Sequence, residues 1–251
     1  MVDAVKISKK VLARLSAMDF EKSGGSSSEQ LIFPQKVQAK GAKLKDRISE
    51  QELRLLFIEE FKNENKDLFY SIETPTVDKF KVGKEYKTIK TDKEGQSASL
   101  DMCVFERNSN KYERILNIEF KHKNASIKKI GKDVLKLMQE KQNGVFVHLL
   151  NNTDRGTLCN EKETGVFNKL YKSFTDFKEN WTNDDKSIQL IILSLEQKKN
   201  KTPKPILIHR KICKADLGNL KEIFLIDTDC GNMTEIKEKE WKVEHKINSN
   251  E

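Results

Sequence analysis

Three residues in the stretch 100–123 have the types and spacing of a hard-cation site with a lysine beside it: Asp101, Glu119 and Lys121. Strand residues two apart share a face, so Glu119 and Lys121 point to one side and Phe120 points into the core behind them. If residues 98–106 and 114–121 pair across the polar turn at 107–111, Asp101 approaches that same side. A hard divalent cation takes carboxylate and carbonyl oxygens plus water and substrate phosphate. Asp101 and Glu119 would supply the carboxylates, and the Phe120 carbonyl a third oxygen. A lysine beside them would orient or help deprotonate an attacking water, or stabilise charge in the transition state.

The elements around this stretch are set by pattern. Ser49 with Glu52 three residues on is a capping box opening a helix. Leu53, Leu56, Phe57 and Phe61 form its apolar face. Glu50 is in line with Leu53 and Phe57 and is the helix acid expected to reach the cluster, with Glu52 as the alternative; both are also acids favoured by a helix start. Residues 68–73 read as a strand ended by Thr74-Pro75. The charged, weakly alternating stretch 79–95 reads as a β-excursion or a long loop. After the paired strands, Asn124-Ala125-Ser126 offers a cap for a helix over 127–142, Asn143-Gly144 stops it, and 145–150 is a continuous apolar strand of the kind buried in a sheet centre. A helix crossing between two strands implies right-handed parallel pairing.

Further on, 165–181 reads as an amphipathic helix, and 187–195, 205–212 and 223–227 as strands. The fold class that follows is α/β, a mixed central β-sheet flanked by helices. Residues 1–47 read as a basic amphipathic helix (4–20), a flexible Ser/Gly linker (23–28) and a solvated lysine-rich loop (35–45). Residues 48–246 read as a single domain, with its core at 50–150 and a continuation at 151–246.

This order of elements, with SEQELR at the helix start, Ser99-Leu100-Asp101 entering one strand and Asn117-Ile118-Glu119-Phe120-Lys121 in the next, resembles the PD-(D/E)XK nuclease superfamily. The resemblance covers about 50–150. It implies a restriction-endonuclease-like core, with the metal-binding aspartate at Asp101, the acid and lysine of the motif at Glu119 and Lys121, and the helix acid at Glu50 or Glu52. Leu100 stands where the family has its eponymous proline, a position that varies within the superfamily. The implied activity is Mg²⁺- or Mn²⁺-dependent hydrolysis of DNA, as an endonuclease in restriction, phage defence, repair or mobile-element processing.

Charge fits such a partner. The 251 residues hold 47 Lys plus Arg against 39 Asp plus Glu, a formal net charge of +8, which suits a polyanion. His122 and Lys123 extend the positive character past the strand. Lys128, Lys132 and Lys136, four apart, make a basic helix stripe able to follow a phosphate backbone, and Lys136 and Gln139 are the helix residues expected to face the cluster. DNA is the expected partner, RNA is not separated from it by composition, and a homodimer is compatible with the sequence. No apolar run approaches the ~18 residues of a membrane span, and no signal-peptide pattern opens the chain, so a cytoplasmic protein is expected. The four cysteines lack paired spacing; a zinc site from Cys159, Cys213, Cys230 and His209 is the weaker metal reading. Two competing readings keep the same residues: a non-catalytic DNA- or protein-binding module on this fold, and an interaction protein whose acids and lysines form surface ion pairs of little energetic weight. His148, inside an apolar strand, reads as a core histidine.

Overall fold

In the computed structural model, the residues described are 2–21, 27–37, 44–158, 164–197, 204–226, 236 and 240–245. Helix α1 (Ala4–Ala17) is followed by a short ribbon, β1 (Gln35–Val37) and β2 (Leu44–Asp46), and by α2 (Glu50–Glu64). Then come β3 (Phe69–Val82), β4 (Ile89–Thr91), β5 (Gln96–Asn108), β6 (Lys111–His122), α3 (Ile127–Gln139) and β7 (Asn143–Leu150). The chain continues through α4 (Arg155–Leu158), α5 (Val166–Phe177), β8 (Ser187–Ser194), β9 (Ile206–Cys213), α6 (Leu220–Ile223) and β10 (Lys242–Glu244). Eight strands form one mixed sheet in the order β10-β9-β8-β7-β6-β5-β3-β4. Its centre, β6-β7-β8, is parallel, and both flanks are antiparallel.

Helices cover both faces. On one, Leu53, Phe57 and Phe61 of α2 and Ile7, Val11 and Leu15 of α1 pack against Ile118, Phe120 and Val147. On the other, α3 and α5 bring Val134, Leu137 and Phe174 against Leu100, Phe146 and Ile192. The edge-on pair Phe57–Phe120, ring centroids 5.2 Å apart, fixes α2 to β6 and adds about 0.5–1.5 kcal/mol beyond area burial. The mixed α/β class read from the sequence is therefore the architecture observed.

Several local expectations need correction. Strand β3 does not stop at Thr74-Pro75: Thr74 pairs with Leu100 and Pro75 with Ser99, and the register slips between Pro75 and Lys79. At Pro75 only β5 is paired, since β4 pairs only with residues 80–82, so the proline sits where the strand is locally an edge. The stretch 79–95 completes that hairpin. Helix α3 stops at Gln139, with Glu140 extended as its C-cap. The expected strand at 223–227 is instead the end of α6 and a turn as far as 226; its apolar residues Ile223, Phe224 and Leu225 are buried in a cluster with Trp241, where burial rather than strand pairing explains the run. The apolar stripe of α1 packs in the same core as α2. Residues 35–37 and 44–46 pair as strands instead of forming a loop. Of the Ser/Gly stretch, 23–26 lies outside the described residues, as do Cys159 and Cys230 of the zinc reading.

Candidate active site

The β5–β6 hairpin turns at Ser109, which takes a positive φ of 53°. Its register sets Met102 opposite Ile118 and Cys103 opposite Asn117. Ile118 and Phe120 pack on the α2 side. Glu119 and Lys121 therefore face α3, as the alternation predicts. Asp101 is tied to the same place by the Phe120 N–H, which donates to its Oδ2 at 2.7 Å.

Four elements converge here. Lys121 Nζ on β6 lies 2.6 Å from Asp133 Oδ2 on α3 and 3.8 Å from Glu50 Oε2 at the start of α2. Lys136 Nζ on α3 lies 2.5 Å from Glu119 Oε1 and 3.0 Å from Asp133 Oδ1, and donates to the Ser99 carbonyl of β5 at 2.8 Å. Helix α3 can do this because Ser126 caps it, accepting from the Lys129 N–H, and because Asp133 falls one turn from both Ile130 and Leu137. The connection before it is held firmly. Lys123 adopts a positive φ of 59°, His148 Nε2 contacts its carbonyl at 2.5 Å, and the Lys169 ammonium bonds Asn124 Oδ1 and the Ala125 carbonyl.

The charges do not balance. Glu50, Asp101, Glu119 and Asp133 are four carboxylates against the two ammonium groups of Lys121 and Lys136, an excess of two negative charges when all are ionised. Glu119 is 1% exposed; burial, then the neighbouring Asp133, pushes its carboxyl well above the ordinary range despite Lys136. Burial also raises Glu50, against the pull of Lys121. Burial would raise Asp133, but Lys136 and Lys121 hold it low. Burial works against the Lys121 ammonium, yet Asp133 and Glu50 outweigh it and keep it above its ordinary value.

Comparison with protein-family models, curated proteins and solved structures returns no match. The geometry alone must carry the reading.

The expected residues fall as follows. Asp101, Glu119, Lys121 and Glu50 meet. Glu52 does not join them: its Oε2 accepts from the Ser49 N–H at 2.7 Å and from the Ser49 hydroxyl, so the capping box uses it. Lys136 leaves the basic stripe, being 3% exposed and committed to oxygens inside. Gln139 turns to β3 and donates to Asp78 Oδ2 at 3.0 Å. Burial, with Lys123 adding to it, lowers His122 to about 4, so it is uncharged at neutral pH and Lys123 alone carries the positive character there. Lys123 is exposed, Lys128 and Lys132 half-exposed, and Lys132 borders a groove of about 490 Å³ with Lys81 and residues 96–98 of β5. His148 is buried beside Lys121 in the parallel register. Burial lowers it to about 3, so it is neutral.

Residue type alone gives Asp133 no role. Its signal is an acid in register with the apolar stripe of an amphipathic helix, three residues from a lysine in the same position.

The donor set fits a hard divalent cation. It is all oxygen, with Glu119 and Asp133 buried and Asp101 and Glu50 half-buried, and carboxylates outnumber ammonium groups. Among the described residues no three Asp, Glu, His or Cys side chains converge closely enough to hold an ion as they stand; the two lysine ammoniums lie between them.

Proposed function

We propose that this protein is a Mg²⁺- or Mn²⁺-dependent nuclease on a restriction-endonuclease-like core, hydrolysing phosphodiester bonds in DNA as an endonuclease. The observation that carries the reading is the convergence of Lys121 with carboxylates from α2, β5, β6 and α3 in a network with more carboxylates than ammonium groups. A structural ion-pair cluster has no need of that excess, which a divalent ion would offset.

Asp101 and Glu119 would hold the ion, with Glu50 supporting from the more exposed rim. When bound, such an ion polarises the scissile phosphate and lowers the pKa of water. The Phe120 N–H fixes one Asp101 oxygen and leaves the other for a ligand. Lys121, kept protonated by Asp133 and Glu50, is a donor: it orients the attacking water and stabilises charge building on the phosphoryl oxygens. Asp133 sets the position of that ammonium. Lys123, Lys128 and Lys132 supply phosphate contacts that position the nucleic acid without reading its sequence.

The test is supercoiled plasmid with Mg²⁺ or Mn²⁺, with Lys121→Ala and Asp101→Asn as controls. Nicking and linearisation are expected for the wild type, with rates about 10²–10³ lower in Lys121→Ala. No cleavage with any divalent metal, or equal cleavage by Lys121→Ala, overturns the catalytic reading; DNA binding without turnover assigns the non-catalytic module instead.

A further inference from the structure

We infer that the Lys136 ammonium is a built-in cation filling one of two cation positions in this site, so that the chain takes a single divalent ion, on the Asp101 side of Glu119. The inference rests on the reading above that Asp101 and Glu119 bind such an ion.

Lysine side chains ordinarily run their stems along apolar surface and put the charge in water. Lys136 does the reverse, with 3% of its side chain exposed. Its Nζ meets three oxygens from three sources: Glu119 Oε1 at 2.5 Å, Asp133 Oδ1 at 3.0 Å and the Ser99 carbonyl at 2.8 Å. Of the ammonium's three donors one bonds the Ser99 carbonyl, and its charge lies against two carboxylates, so it is turned away from substrate. Two carboxylates and a backbone carbonyl are the oxygen set of a hard-cation position, and here a lysine occupies it. A burial this costly persists where the charge is fully compensated.

Lys121 is placed differently. Its side chain is 12% exposed, and its longer contact, 3.8 Å to Glu50, leads toward the rim. It is the lysine with access to a substrate. With Lys136 in place the excess of two negative charges matches one divalent ion; without it the excess is three and a second oxygen cage is open.

The experiment counts metal. Metal-free wild type, Lys136→Ala and Lys136→Gln (which keeps an amide donor for the Ser99 carbonyl) are titrated with Mn²⁺ by calorimetry, with free Mn²⁺ counted by electron paramagnetic resonance and folding checked by circular dichroism. One ion per chain is expected for the wild type and two for both variants, returning to one when Asp133→Asn is added to Lys136→Ala. A wild type that binds two ions, or folded Lys136 variants that keep the wild-type count, overturns the inference. If the variants fold only with metal, recovery of the native spectrum by Mn²⁺ but not by Na⁺ at equal ionic strength supports it, and no recovery overturns it. A wild type that binds no Mn²⁺ defeats the ion-site reading separately: Lys136 variants that then gain one ion, lost again with Asp133→Asn, still support the Lys136 assignment, and variants that gain none defeat both.

Discussion

Glu119 shows how a single buried acid couples this site to pH. Burial first, and Asp133 second, favour its protonated form in the folded chain. A carboxyl whose folded pKa is raised contributes most below its unfolded value, about 4.5, and that contribution is lost as pH rises through the folded value. Asp133 has the opposite sign, because its lysines hold it low: its contribution is present above the unfolded value, 3.8, and is lost on acidification through the folded one. Comparison with Glu119→Gln separates the two. In EDTA, urea denaturation should show the Gln variant gaining on the wild type as pH rises from about 4.5, with Mn²⁺ reversing the trend. Parallel pH profiles in EDTA would sink this account. The alternation Glu119-Phe120-Lys121 is readable from sequence because a strand has a period of two. Lys136 meets the cluster as its place on the helix predicts; that Asp133 turns inward with it is not readable, because an aspartate on a helix is solvated far more often than buried.

At the scale of elements, Glu140 holds the site's frame. It caps α3 in extended conformation, with its side chain 1% exposed. Its carboxylate accepts from the Val77 N–H at 2.8 Å and lies 3.0 Å from Arg114 Nη1; Arg114 also donates to the Pro75 carbonyl at 3.1 Å. One acid thus ties the irregular middle of β3 and the strand β6 to the helix that carries Asp133 and Lys136. The C-terminal carbonyls of α3 are met by the buried Lys186 ammonium, which contacts Leu137, Met138 and Glu140. Glu140→Ala leaves Arg114 without its buried partner and takes away the acceptor of the Val77 N–H. A loss of about 3–5 kcal/mol is expected in urea denaturation. A loss under about 1 kcal/mol would show that the pair behaves as a surface one. The proline in β3 makes this region read as a strand end; pairing with β5 overrides it.

Across the whole molecule, basic residues divide into those already engaged and those available. On α1, Lys6 and Lys10 pair with Glu64 at 2.5 and 2.6 Å, Lys9 with Glu244 at 2.5 Å, and Arg14 with Glu29, Glu59 and Glu60. These bind the helix to its own domain and leave little for a polyanion. Lys123, Lys128 and Lys132 have no ion-pair partner among the described residues. Substituting these three with Ala should weaken DNA binding in EDTA uniformly across sequences. The slope of log affinity against log salt should fall by about one for each phosphate that is no longer neutralised, as read by fluorescence anisotropy. Substituting Lys6 and Lys10 should leave that slope unchanged. The reverse pattern would move the interface to α1. Among the described residues no helix is long and apolar enough to cross a membrane.

Local chemistry determined much of this chain. The capping box at Ser49, the paired strands at Asp101 and Lys121, the crossover helix and the apolar strand after it all follow from periods of two and 3.6 and from side chains that bond to nearby backbone. Tertiary structure alone decided the partners. Glu50 rather than Glu52 reaches Lys121 because the cap consumes Glu52, and Lys136 joins Glu119 because the parallel crossover lays α3 over β6. Sequence spacing fixes which residues share a face. It does not say which charge on one face meets which on another, since that depends on contacts between elements far apart in the chain.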